Sequence, residues 1–236
     1  MNLLLISNST NAGEAYLEYP KQNIAAFLQQ HQVSKVVFVP YAGVSISFDE
    51  YTAKVRERFA EIGIEVAGVH TFDNPAAAVA QAQAVVVGGG NTFHLLKLMY
   101  ENGLVEAISK KVRGGMPYIG WSAGSNVACP TICTTNDMPI VQPASFNALN
   151  LVPFQLNPHY LDAHPDGHAG ETREQRIQEY NIANPDRYVA GLREGCMFLV
   201  ENDQIKLIGD RTVRVFKQGL ETREVAAGED LNFLLG

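Results

Sequence analysis

Short runs of aliphatic and β-branched residues alternate with longer stretches of helical periodicity over the first two thirds of the chain, the pattern of a parallel sheet covered on both faces. The apolar runs LLLIS (3–7), KVVFVP (35–40), IEVAGVH (64–70), AVVVGGG (84–90) and PYIGWS (117–122) read as strands. Helices are expected between them: over 12–30, where apolar positions recur at helical spacing, over 49–61 behind an Asp cap, and over 91–113, divided after Gly103. LVPFQLNPH (151–159) and RYVAGLREG (187–195) predict two further strands, separated by a loop and the helical segment ETREQRIQEYNIA. From Cys196 onward apolar and polar residues alternate around turn signals at Asn202-Asp203 and Lys217-Gln218-Gly219, which predicts an antiparallel β meander packed at one edge. No repeat, low-complexity tract or linker divides the 236 residues. The expectation is one domain over 1–236, an α/β protein with a doubly wound, mostly parallel sheet and a C-terminal antiparallel meander.

Hydrophobic residues make up 46% of the chain and charged residues 18%, an ordinary globular balance. The net charge of -7, with no cluster of Lys and Arg, removes nucleic acid from the expected partners and favours a small polar substrate over a polyanion. No apolar run approaches the roughly 20 residues needed to cross a bilayer, and MNLLLISNST lacks the basic and long apolar regions of a signal peptide. The expected location is the cytoplasm, with no membrane partner. Cys129, Cys133 and Cys196 form no C-x-x-C pair and read as buried free thiols.

In an open parallel sheet the ligand site forms beyond the carboxyl ends of the strands. Four strand ends here carry reactive or permissive groups: Gly88-Gly89-Gly90, Ser122, His159 and Glu194. In YIGWSAGSN, Ser122 stands between Gly120 and Gly124, so it is either a nucleophile on a sharp strand-to-helix turn or a small residue in a tight bend. If it is the nucleophile, the Ala123 N–H points toward an oxyanion, and Ser125, one turn on, faces the interior. His159, fixed by Pro158 after an apolar strand, is the best placed of the six histidines to act as base. Glu194 is the candidate to orient it, with Asp162 next, and the order Ser, His, Glu differs from that of the α/β-hydrolases. GGGNTF fails the dinucleotide fingerprint at Phe93 and has no P-loop Lys, which favours Gly89 or Gly90 as a second oxyanion donor and argues against a nucleotide cofactor. His159, His164 and His168 with Asp162 and Asp166 match no zinc spacing, so no metal is expected. Thr172 and Gln175 have the spacing of a capping box, which puts Arg173 and Arg176 in the first turns of a helix, where they oppose its dipole. Either they hold a substrate carboxylate or they pair with Glu171 or Glu174.

Taken together, LLLISNST, GGGNTF, YIGWSAGSN, CPTI, TTNDMPI, NPH, GETREQRI and EG resemble the peptidase E family, the α-aspartyl dipeptidases. These are serine peptidases with a class I glutamine amidotransferase-like fold. The resemblance implies hydrolysis of dipeptides with an N-terminal aspartate by a triad mapping onto Ser122, His159 and Glu194, with Gly89 or Gly90 and Ala123 as oxyanion donors. It also implies that Arg173 pairs with the aspartyl side-chain carboxylate. The expected partner is a small peptide, with no cofactor and with the chain a monomer or homodimer. Asn91, Asp137 and Glu171 are candidates for amine or substrate contacts. Two other classes fit the same residues: a cyanophycinase-like hydrolase of β-aspartyl-arginine chains, which needs an additional arginine site, and a nonenzymatic ligand-binding protein.

Overall fold

A computed structural model of the chain describes residues 1–162 and 170–236. Among these residues the strands form a seven-stranded and a four-stranded sheet. The larger is built on β1 (Leu3–Ile6), β2 (Lys35–Val39), β3 (Glu65–Gly68), β4 (Ala84–Val87) and β5 (Tyr118–Trp121), parallel in the order β3-β2-β4-β5-β1. β1, β4 and β5 are buried at every residue, as the unbroken apolar runs require when both faces are covered. The pleat sorts their side chains. Leu4, Ile6, Val86 and Ile119 face α1 (Lys21–Gln30) and α2 (Phe48–Ala60), while Leu3, Leu5, Val85 and Val87 face α3 (Pro75–Gln81), α4 (Thr92–Glu101) and α5 (Leu104–Arg113). Gly103, at φ +65°, divides α4 from α5 as its position in the sequence predicts.

The first helix is shorter than the periodicity predicts. Residues 12–20 form turns and α1 begins only at Lys21, after Pro20. The residue before a proline disfavours the α region, Leu17 sits at φ +53°, and the Tyr19 hydroxyl is engaged by Asn8, so this segment wraps the end of β1 instead of coiling. α2 starts one residue earlier than expected and its cap is Ser47, not Asp49, because Ser47 and Glu50 complete a reciprocal capping box.

The second sheet, in the order β11-β10-β7-β6, joins β6 (Gln155–Tyr160) parallel to β7 (Val189–Arg193) and adds β10 (Val213–Phe216) and β11 (Arg223–Val225) antiparallel. α7 (Arg173–Ala183) packs on it through Ile177, against Tyr160, Val189 and Phe216. The tail is antiparallel throughout but is not one meander. β8 (Met197–Glu201) and β9 (Gln204–Ile208) extend the larger sheet beyond β1, while β10 and β11 extend the smaller one. The chain changes sheet at Gly209, whose φ of +135° and contact with Cys196 leave no room for a side chain.

Candidate active site

Ser122 follows β5 and opens the four-residue helix α6 (Ala123–Asn126) at φ +53° and ψ -114°, a conformation that costs a non-glycine residue about 1–3 kcal/mol. The surroundings enforce it. A Cβ on Gly120 would stand 2.4 Å from the Gly124 carbonyl oxygen, and one on Gly124 would stand 2.1 Å from that of Val87. The Ser122 N–H pairs with the Ile6 carbonyl at 3.1 Å, so the serine is tied to the end of β1 while its side chain turns out of the sheet. α6 is too short to carry a large dipole; what it offers is the N–H of its first residue, Ala123, which has no acceptor among the described residues. Ser125 is fully buried and bonded to the Ile6 and Gly120 carbonyls, each at 2.7 Å, in the interior position expected of it.

His159 reaches Ser122 from the other sheet. Pro158 pairs with Leu192 and Tyr160 with Arg193, so β6 spends two residues on one step of β7 and His159 is the residue left in the bulge, at φ +53°. The peptide unit joining Pro158 and His159 is held at both ends. Its carbonyl accepts from Asn136 Nδ2 at 2.7 Å and its N–H donates to Ser7 Oγ at 2.9 Å. Ser7, fully buried at the end of β1, donates in turn to the Leu192 carbonyl at 2.8 Å, joining the two sheets beneath the histidine. The sequence alone assigns no role to Ser7 or Asn136. Ser7 does stand at a strand end like the other candidates, whereas nothing local marks Asn136.

His159 Nε2 lies 3.0 Å from Ser122 Oγ and Nδ1 lies 2.7 Å from Glu194 Oε1. With Glu194 ionised, Nδ1 carries the proton and Nε2 is free to accept from the serine hydroxyl. The His159 and Glu194 side chains are 39% and 40% exposed, so both remain open to solvent and substrate. Asn8 Oδ1 fixes the turn after Glu194 by accepting from the Gly195 N–H at 2.9 Å. Asp162, the other acid considered for this role, is occupied: both its oxygens bind Arg193, at 2.6 and 2.7 Å, and that pairing holds its carboxyl below the usual range.

A cleft of about 320 Å³ opens beside this trio, walled by Thr92, Asp137, Leu161 and Arg173. Gly89 packs directly behind Ser122, where a Cβ would come within 2.9 Å of the serine Cβ. Among the described residues the N–H groups of Gly89 and Gly90 have no acceptor. The capping box forms: Thr172 Oγ1 accepts from the Gln175 N–H at 3.1 Å and Gln175 Oε1 accepts from the Thr172 N–H at 2.7 Å. Arg173 is thereby the first helical residue of α7. It has no ion-pair partner among the described residues, its Nη1 is buried without a hydrogen bond, and burial, then the neighbouring Arg176, lower its pKa. The pairings expected as the alternative bypass it, since Glu174 binds Arg214 and Glu171 only approaches Arg176, at 3.7 Å between exposed groups.

Of the remaining candidates, Asp137 lines the cleft, with Oδ2 accepting from the Thr92 N–H and hydroxyl at 2.7 and 2.6 Å. Asn91 caps α4 and donates to the Met138 carbonyl, and Glu171 lies outside the cleft wall. His164 and His168 fall outside the described residues; among the described ones no three His, Cys, Asp or Glu side chains converge on a metal position. Cys129 and Cys196 are buried, and burial pushes the Cys129 thiol up to about 12, but Cys133 is exposed, contrary to the sequence reading. It falls in an irregular segment where no apolar periodicity reports burial. No helix among the described residues is long and apolar enough to cross a membrane.

Residues 3–208 match the model of peptidase family S51. The chain is 52% identical over 233 residues to peptidase E of Nostoc sp. strain PCC 7120, covering 99% of this chain and 96% of that protein. It is 52% identical over 236 residues to peptidase E of Streptomyces coelicolor, covering 100% and 95%. The crystal structure of a peptidase from an acI-B1 actinobacterium superposes with a TM-score of 0.72 at 17% identity, over 98% of this chain and 96% of that one, and shares the fold. The full-length identity and the family match have one consequence: this chain belongs to peptidase family S51 and is a serine peptidase.

Proposed function

We propose that the enzyme hydrolyses Asp-X dipeptides through a triad of Ser122, His159 and Glu194. Ser122 Oγ attacks the carbonyl carbon of the N-terminal aspartyl residue as its proton passes to His159 Nε2, and the Glu194 carboxylate stabilises the imidazolium. The oxyanion is met by the Ala123 N–H together with that of Gly89 or Gly90. His159 returns the proton to the leaving amine, and water, activated by the same base, hydrolyses the aspartyl ester.

One observation carries the specificity: a guanidinium with a buried, unpartnered nitrogen lines the same cleft as the proposed nucleophile. Such a group is stabilised by a substrate that brings its own carboxylate, and Asp as first residue does so. Asp137 supports the rest of the reading. Its Oδ2 is taken by Thr92, and the other oxygen, without a hydrogen bond among the described residues, fits the substrate's α-amino group.

The β-aspartyl-arginine alternative has one observation in its favour. A cavity of about 500 Å³ behind Glu194 is walled by Glu14 and Asp210 as well, acidic enough for a guanidinium.

A panel of dipeptides with Asp, Asn, Glu, isoaspartate or Ala first, together with β-Asp-Arg, separates these readings. Wild type is expected to cleave Asp-X alone, Ser122→Ala to cleave none, and Arg173→Ala to lose about 10³-fold or more on Asp-X while the gap between Asp-X and Asn-X narrows. Full Asp preference in Arg173→Ala would place the carboxylate elsewhere, and faster cleavage of β-Asp-Arg would replace the dipeptidase reading.

A further inference from the structure

A dipeptide brings a second carboxylate, the C-terminal one, and the triad cleft has only Arg173 to offer. Of the cavities near that cleft, the one of about 180 Å³ that shares Thr135, Asn136, Asp137 and Arg173 with it lies on the side given to the aspartyl side-chain carboxylate, which leaves two others. The one behind Glu194 sets the single cation Arg211 among Glu14, Asp210 and Glu194, and so repels a carboxylate. The other, about 430 Å³, begins at Gly89 and Gly90, the turn packed against Ser122, and contains Lys54 with no acidic side chain in its wall.

Lys54 projects from α2. Its Nζ stands 4.2 Å from the centroid of the Tyr16 ring, an arrangement that positions the ammonium without neutralising it. Among the described residues no carboxylate lies within ion-pair distance of it. Apart from Ser45, Asn91 and the tyrosines Tyr16 and Tyr51, the remaining side chains of the wall are apolar. Val44 and Ile140 leave 56% and 51% of their surface in water, with Ile46 beside them. Asn91 tethers the segment carrying Ile140 by donating to the Met138 carbonyl at 2.9 Å.

We infer that this cavity is the subsite for the second residue of the dipeptide, its side chain against Val44, Ile46 and Ile140 and its terminal carboxylate on Lys54 Nζ. The inference rests on the Asp-X reading above. It also gives a reason for a preference for dipeptides: a third residue would convert that carboxylate to an amide and leave Lys54 without its partner.

The test compares Asp-Leu, Asp-Leu amide and Asp p-nitroanilide on wild type, Lys54→Met and Lys54→Arg. Lys54→Met keeps the aliphatic stem and removes the charge. Its kcat/KM on Asp-Leu is expected to fall about fivefold, chiefly through KM, against less than about twofold on the amide and the anilide, the scale of an exposed charge pair. Lys54→Arg is expected to retain the preference for the free acid. An undiminished rate of Lys54→Met on Asp-Leu, or an equal loss on all three substrates, overturns the subsite. Wild type that leaves the anilide and both peptides intact overturns the Asp-X reading and the subsite with it. Wild type that cleaves the anilide, with Asp-Leu indifferent to Lys54, overturns the subsite alone.

Discussion

At the scale of single residues, the proposed chemistry depends on side chains that never touch substrate. Ser7 Oγ accepts from the His159 N–H and donates to the Leu192 carbonyl, so one buried hydroxyl sets the height of the histidine above the sheet and joins β1 to β7. Ser7→Ala leaves a donor and an acceptor unsatisfied in the interior, a loss of about 1–3 kcal/mol. The Pro158–His159 peptide unit would then be held at one end only, by Asn136 on the Pro158 carbonyl. The expected outcome is a fall in kcat of about 10- to 100-fold with KM little changed, because geometry around the base is felt in the transition state more than in binding. Steady-state kinetics on a folded variant, checked by circular dichroism, decides it; a change confined to KM would assign Ser7 to the binding pocket instead. Ser122, His159 and Glu194 are legible in the sequence because each follows an apolar run, and the tip of a parallel strand is where ligands meet the sheet. Asn136 has no such mark, since its role is created by a segment that folds back over β6 from 21 or 22 residues away.

At the scale of elements, the turn from β5 into α6 is legible for a steric reason. Its glycines are required by contacts, and the G-x-S-x-G spacing reports those contacts directly. Gly124 is the more exacting of the pair, because a methyl group there would overlap the Val87 carbonyl of the neighbouring strand at 2.1 Å. Gly124→Ala must therefore push β4 and α6 apart or fail to fold. It is expected to lower the thermal midpoint by about 8 °C or more, for a cost of at least roughly 3 kcal/mol in a chain of this size. A midpoint within about 2 °C of wild type, read by scanning calorimetry, would show that the elbow yields more easily than its contacts indicate. Other elements were less legible. Residues 12–20 carry helical periodicity but follow the hydrogen bonds of Asn8 and the restriction before Pro20. The tail's alternation predicts strands and antiparallel pairing correctly, yet period-2 patterning is silent about which sheet a strand joins. That assignment is made by a glycine turn at Gly209, where the contact with Cys196 excludes any side chain.

At the scale of the whole molecule, the proposed triad is divided: Ser122 belongs to the larger sheet, His159 and Glu194 to the ends of β6 and β7 in the smaller one. Its alignment is thus a property of how the smaller sheet is held together, and the main electrostatic tie there is Arg193, the residue before Glu194. Its buried guanidinium binds Asp162 through Nε and Nη2 and Glu224 through Nη1 and Nη2, and donates to the Thr212 carbonyl, joining the end of β6 to β10 and β11. Hydrogen bonding to Arg193 is the largest cause lowering the pKa of both carboxyls. A carboxyl whose pKa is lower folded than unfolded contributes stability that is fully present above the unfolded value, about 4, and is lost as pH falls through the folded value. The network therefore stabilises the protein at neutral pH and ceases to do so in acid. Both carboxylates are about half exposed, which limits the gain through solvent screening. Arg193→Met fills much of the same space without the charge and is expected to lower stability by about 1–3 kcal/mol at pH 7. The two proteins should converge as pH falls from about 5 toward 3, since protonation removes from wild type what the substitution has already removed from the variant. Urea midpoints measured across that range test the assignment, and a deficit that stays constant with pH would show that Arg193 acts by packing over the Tyr160 ring, 5.5 Å from its centroid, and not through its two carboxylates.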